Sequence, residues 1–178
     1  MGDEAIIKNW LKTNELDLSE GQINNLLGYI ELIKKISGTM NLVSKHDLPH
    51  LIERHLLDSL HVLKAYNIPF GAKTADLGSG AGFPGIPIAI ARPDIQMYLI
   101  ESRHRKSLFL KSIINKLELA NAIVIHDRWE DLGMTFDIIL SRASLNEADL
   151  MARAVPRLNP DGALLYFAKY NNIKVLKK

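Results

Sequence analysis

Apolar positions recur at helical spacing along the first third of the chain and gather into short separated runs along the rest. Ile23, Leu26, Leu27, Ile30 and Ile33 fall on one stripe, which predicts a helix opened by a capping box of Ser19 and Gln22 and stopped near Gly38. A further helix is predicted from about Leu48 to Tyr66, with Leu48, Leu51, Ile52, Leu56, Leu60 and Leu63 inward and Asp47 or a neighbour as its cap. A short helix near Asp3 to Lys12 completes an all-helical cap over residues 1–70. After Gly71 the apolar runs at 74–77, 97–100, 122–125, 136–140 and 163–168 alternate with helical segments. That alternation predicts an α/β fold, a parallel sheet with helices on both faces. Right-handed crossovers place the carboxyl ends of its strands along one edge, where such sheets take ligands. The junction at 68–73 is short and not low in complexity, so residues 1–178 read as one domain with an α/β core at 71–178.

Composition narrows this picture without changing it. A chain of 178 residues, 47% of them hydrophobic, can bury a sizeable core. It has no cysteine, which excludes disulfides and thiolate metal sites. There is no apolar run near the roughly 20 residues of a membrane span and no charged-then-apolar leader, so a soluble cytoplasmic protein is expected. Its six histidines show no metal-ligand spacing, and no metal is expected. A net charge of +2 does not by itself announce a nucleic-acid partner.

The candidate chemistry begins at "ADLGSGAGFPGIPIAI", residues 75–90, where glycines at 78, 80, 82 and 85 follow the first predicted strand. Such a loop can be a tight strand-to-helix turn and nothing more. Its position at a strand end, before a helix, also suits a nucleoside, and Glu101 ends the next predicted strand nineteen positions after Gly82. A carboxylate at that spacing accepts hydrogen bonds from ribose hydroxyls. Asp76, inside the strand end, would repel a pyrophosphate but attract an amino acid's ammonium. Pro84 and Pro87 remove amide donors that a dinucleotide site would aim at phosphate. Both features favour S-adenosylmethionine over a nicotinamide dinucleotide.

"ADLGSGAGFPGIPIAIARPD", with "NLVS" and "ERHLLDSL" before it and "LIESRHRKSLFLK" after it, resembles the RsmG (GidB) family of bacterial methyltransferases, over roughly residues 20–170. The resemblance implies a Rossmann-like class I methyltransferase sheet, S-adenosylmethionine as cofactor, and methylation of guanine N7 in small-subunit (16S) ribosomal RNA by a monomeric protein. It also implies roles for single residues. Gly78, Gly80 and Phe83 would line the cofactor with Asp76, and Glu101 would hold its ribose. Trp129 and Glu130 would flank the adenine, while Asp127 can be a helix cap only. Arg142, at the end of the fourth predicted strand, would contact the cofactor and the substrate side, its planar fork suiting a carboxylate or a phosphate. His55 and Asn41 come from the helical cap, and with Arg142 they are the candidate catalytic residues. Arg54 and Asp58, at helical spacing around His55, would form a solvated pair.

Methyl transfer to N7 needs no general base, because that nitrogen already carries an in-plane lone pair, so catalysis would consist of positioning. Arg103, His104, Arg105 and Lys106 open a predicted helix against its macrodipole, a local cost that hints at phosphate contact, while any one of them taken singly reads as part of a solvated charge run. Relatives of this kind continue beyond the 163–168 run with a helix and an antiparallel strand pair, whereas nine residues follow Lys169 here. The strand pair is therefore expected to be missing, leaving the 163–168 run as an edge that either self-associates or is covered by Ile173–Leu176. A catalytically degenerate cofactor-binding relative and a nicotinamide oxidoreductase are the alternative readings.

Overall fold

Helix α1 (Asp3–Thr13) buries Ile7 and Leu11. Its Trp10 meets the His61 ring edge-on at 5.0 Å. In the computed structural model, which describes residues 2–142, 147–169 and 172–178, helix α2 (Glu20–Ile36) opens on the expected capping box. The Gln22 amide donates to Ser19 Oγ at 3.2 Å and the Ser19 amide donates to Gln22 Oε1 at 2.9 Å. The same Gln22 donates through Nε2 to the carbonyls of Ile90 and Ala91, at 2.8 and 3.1 Å, tying the cap to the core.

The single helix expected from Leu48 to Tyr66 is a broken one. A 3₁₀ turn at Leu48–His50 leads into a wide π turn at Ile52–Leu57, then α3 (Asp58–Leu60) and α4 (Val62–Ala65). Pro49 lies in the first turn, where its missing amide costs nothing, and it is the π turn that breaks the ladder by inserting an extra residue. The inward stripe shifts accordingly. Leu57 and Val62 are buried, while Leu48 and Leu63 are only half-buried. Leu56 to Leu60 are buried consecutively, carrying Asp58 and Ser59 out of solvent with them.

The sheet has the strands β1 (Lys73–Leu77), β2 (Gln96–Ile100), β3 (Ala122–Ile125), β4 (Phe136–Ser141), β5 (Leu158–Lys169) and β6 (Asn172–Lys177), in the order β3-β2-β1-β4-β5-β6. All neighbours are parallel except β5 and β6. Helices α5 (Gly85–Ala91), α6 (His104–Lys116) and α7 (Glu147–Ala154) complete the α/β pattern. Strand alternation separates two cores. Leu99, Ile138 and Leu165 face the cap, α5 and α6, whereas Ala75, Leu77, Ile139 and Leu164 face Leu150 and Ala154 of α7.

Two expectations are corrected here. Strand β5 starts at Leu158 rather than at 163, because the turn-like stretch at 159–162 is absorbed as an irregularity. Leu158 pairs with Phe136 before the register shifts. Asp161 takes φ 64°. A Cβ on Gly162 would lie 2.9 Å from the Asn159 carbonyl oxygen. The second correction concerns the missing strand pair. One antiparallel strand is present: β6 lies along β5, with Leu164 opposite Leu176 and Phe167 opposite Ile173, so the tail covers the edge. Its two half-buried residues lie on opposite faces, Ile173 against the cap-side core and Leu176 against the α7-side core. Among the described residues no helix is long and apolar enough to cross a membrane.

Candidate active site

The glycine loop leaves β1, and its first three residues are tied to the end of β2. The amides of Gly78 and Ser79 donate to the Ile100 carbonyl at 2.9 and 3.0 Å. Glu101 accepts from the Gly80 amide at 2.9 Å and, through its other oxygen, from the Arg103 amide at 2.8 Å. It thereby orders the loop and the start of α6 together, and it is buried. Asp76 lies behind the loop, on the cap face of β1, where it accepts from the Gly85 amide at 3.1 Å and is 1% exposed. The carboxylate that the sequence suggested for a ligand's ammonium thus also ties the loop to the first turn of α5, through Oδ2.

Burial pushes the Asp76 carboxyl up to about 6, against the opposing pull of the Gly85 amide. Such a group stabilises the fold fully below the ordinary carboxylate value of 3.8 and loses that contribution as pH rises through about 6. His55 has the opposite sign. Burial first, and the Arg142 charge second, pull its imidazole from 6.5 down to about 4, so its contribution is complete above 6.5 and is lost as pH falls toward 4. The two partly cancel where they overlap. Asp76→Asn removes one of them, and its thermal midpoint should rise more steeply with pH than the wild type's across the interval from about 4 to about 6. Parallel slopes in scanning calorimetry would show that Asp76 ionises without cost.

On the far side of the loop, Arg142 leaves the end of β4 and meets the broken helix. Its Nη2 donates to His55 Nδ1 at 2.5 Å, and its Nη1 lies 3.8 Å from Asp58 Oδ2. The guanidinium stands 5.5 Å from the Phe83 ring centroid and the His55 ring 5.3 Å from it. Because Nδ1 accepts, the His55 proton resides on Nε2, which is buried and has no hydrogen-bond partner among the described residues. A cleft of about 730 Å³ opens here, lined among others by Asp47, Arg54, His55, Asp58, Arg142 and Phe167. The expected Arg54–Asp58 pair is not formed. The Arg54 guanidinium binds Asp47 at 3.0 Å, while Asp58 is buried beside Arg142. The π turn is the cause, since it rotates successive side chains by less than a regular helix does. Hydrogen bonds from Ser44 and then Arg54 hold the Asp47 carboxyl at about 2.

The remaining candidates lie elsewhere. Asn41 is exposed and lines a separate cleft of about 380 Å³ with Met40 and the basic run from Arg103 to Lys106. Trp129 and Glu130 form a 3₁₀ turn (Trp129–Asp131) after β3. Trp129 packs half-buried on the sheet face opposite the cap. The Glu130 carboxylate lies 3.7 Å from Arg153, and its carbonyl accepts from Arg157. Among the described residues Asp127 accepts only from the adjacent Arg128 amide, at 2.7 Å, and caps no helix turn there. Thus Gly78, Gly80, Phe83, Asp76 and Glu101 form one unit, His55 and Arg142 join it through Phe83, and Asn41, Trp129 and Glu130 sit around it. Tyr29 was missed. Its hydroxyl donates to the Ala81 carbonyl at 3.0 Å. The signal was a polar-tipped ring among the inward positions Leu26, Ile30 and Ile33.

A sequence model of the family described as rRNA small subunit methyltransferase G matches residues 22–177. The Ribosomal RNA small subunit methyltransferase G of Lachnoclostridium phytofermentans is 35% identical over 184 residues, covering 100% of this chain and 75% of the relative. The protein of the same name from Desulforamulus reducens is 38% identical over 169 residues, covering 91% and 70%. Among solved structures, an S-adenosyl-L-methionine-dependent methyltransferase of Methanococcus maripaludis, itself so named provisionally, has a similar fold. It aligns with a TM-score of 0.60 at 16% identity, over 80% of this chain and 64% of that one.

Proposed function

This chain belongs to the rRNA small subunit methyltransferase G family, and on that premise we propose that the Phe83 side of its glycine loop is where a methyl group passes to N7 of a guanine. The protein is an S-adenosylmethionine-dependent methyltransferase acting on small-subunit ribosomal RNA. Membership displaces the nicotinamide oxidoreductase alternative.

The residues fit the cofactor. A Cβ on Gly78 would meet nothing within 4 Å, so the loop keeps an open side at the end of β1. The Glu101 carboxylate there accepts two amide bonds and retains lone pairs for ribose hydroxyls. When bound, S-adenosylmethionine supplies an electrophilic sulfonium methyl. The protein's own work is positioning. Phe83, stacked between the cap and Arg142, walls the site; Arg142 and the His55 Nε2 proton are donors for the carbonyl edge of a purine or for the cofactor's carboxylate. No residue need remove a proton, since N7 presents its lone pair directly. Asn41 and the run from Arg103 to Lys106 line a cleft next to Gly80, whose Cβ position is 3.9 Å from Lys106 Nζ. They suit the phosphates flanking an unstacked base. Trp129 and Glu130 are assigned to the adenine side. The same reading takes residues 1–178 as one domain, working as a monomer in the cytoplasm.

The observation that carries the reading is the junction of a carboxylate-tied glycine loop with the His55–Arg142 pair through one ring, Phe83. Titration of the protein with S-adenosylhomocysteine should give saturable heat. Incubation with small-subunit RNA and labelled cofactor should give label at a guanine that becomes sensitive to borohydride and aniline cleavage. Label at another atom would move the target from N7, and no heat with S-adenosylhomocysteine would remove the loop as its site.

A further inference from the structure

Helix α2 belongs to the cap, yet one of its side chains ends inside the cofactor loop. Tyr29 is fully buried, and its hydroxyl donates to the Ala81 carbonyl at 3.0 Å. Its ring lies 5.0 Å from that of Phe83. The hydroxyl also occupies the space a side chain at Gly82 would take, 2.9 Å from the Cβ position. Gly82 has φ 104°, a backbone conformation that L side chains rarely adopt. Tyr29 and Gly82 are thus complementary, the missing side chain of one making room for the polar tip of the other.

We propose that Tyr29 is a positioning residue for methyl transfer, holding the 80–83 loop in its cofactor-binding shape from the cap. Two contacts carry this, and they act on different parts of the site. The hydrogen bond to Ala81 fixes the loop backbone between Gly80, which is tied to Glu101, and Gly82. The ring contact with Phe83 continues through that ring to His55 and Arg142. A tyrosine serves here because its rigid ring spans the distance from α2 to the loop with two torsions and ends in a donor. Phenylalanine would fill the same space and leave the carbonyl of Ala81, a buried residue, without this donor. The cap is then more than a cover, since it sets the shape of the loop it packs on.

The inference rests on the loop being the cofactor site, and the test separates the two. Tyr29→Phe, which keeps the ring, should weaken S-adenosylhomocysteine binding and raise the KM for S-adenosylmethionine about tenfold, with kcat changed less. In hydrogen exchange, the amides at 80–83 of the free variant should exchange faster than in the wild type and be protected again when S-adenosylhomocysteine binds. Tyr66→Phe, at a tyrosine outside the site, should change none of these. If the wild type binds S-adenosylhomocysteine and Tyr29→Phe binds it equally, with unchanged loop exchange, the inference is overturned and the site stands. If Tyr29→Phe loses thermal stability while KM and loop exchange are unchanged, Tyr29 is a packing residue only and the inference again fails. A wild type that does not bind S-adenosylhomocysteine overturns the site and the inference together.

Discussion

Arg142→Ala is expected to lower methyl transfer by tenfold or more, about 1.4 kcal/mol of transition-state stabilisation, and to lower thermal stability as well. Arg142 is the donor to His55 and the cation beside buried Asp58. Removing it takes the positive charge away from beside a carboxylate with 5% side-chain exposure, and truncating one member of a buried charged pair is among the costlier substitutions. Burial itself pulls the guanidinium below its ordinary value while Asp58 opposes, so the pair is held in place by mutual need. Arg142→Lys separates the two consequences. A lysine retains the charge near Asp58 but not the planar fork that reaches His55 and lies over Phe83. It should recover most of the thermal stability and little of the kcat/KM. Full recovery of both by lysine would reduce Arg142 to a counter-charge for Asp58.

Gly82→Ala should be strongly destabilising. The new Cβ would lie 2.7 Å from Ile86 Cγ1, 2.9 Å from Tyr29 Oη and 3.1 Å from Leu110 Cδ2. Two of these belong to helices packed on the sheet and the third to α2, so none can move without disturbing its own contacts. Overpacking of this kind costs about 1–3 kcal/mol, and a strained backbone conformation adds roughly 1–3 kcal/mol. A total of about 3 kcal/mol lowers the melting temperature of a chain this size by roughly 6–12 °C. Cofactor binding should fall with it, because relief requires the loop to move away from Tyr29. Gly78→Ala is the control for space: its Cβ would meet nothing within 4 Å, so only its positive φ of 69° resists the substitution. Equal melting temperatures for the two variants would show that the close approach to Tyr29 and Ile86 is not what fixes Gly82.

The sequence by itself determined the layout. Capping at Ser19 and Gln22, the period of α2, and the apolar runs that became β1 to β5 are local signals, because each depends on residues within one or two turns of one another. The glycine loop and Glu101 were equally legible, since a strand end, a loop and the next strand end recur at fixed distances in a parallel sheet. What the tertiary structure alone decided are the partners. Asp58 has the spacing of a partner for Arg54, but the π turn between them turns it inward to Arg142, more than eighty residues away in sequence. Asp76 has the chemistry of a ligand group, and β1's alternation points it at α5, where it accepts from the Gly85 amide. Arg142 at a strand end looks removable until the cap closes over it. The turn-like residues before 163 enter β5, and Asn172–Lys177 pair along it as β6, because an unpaired strand edge rewards any segment long enough to reach it. Local pattern sets which elements form and in what order; which polar atoms then meet is fixed only when packed surfaces force each buried group to find a partner.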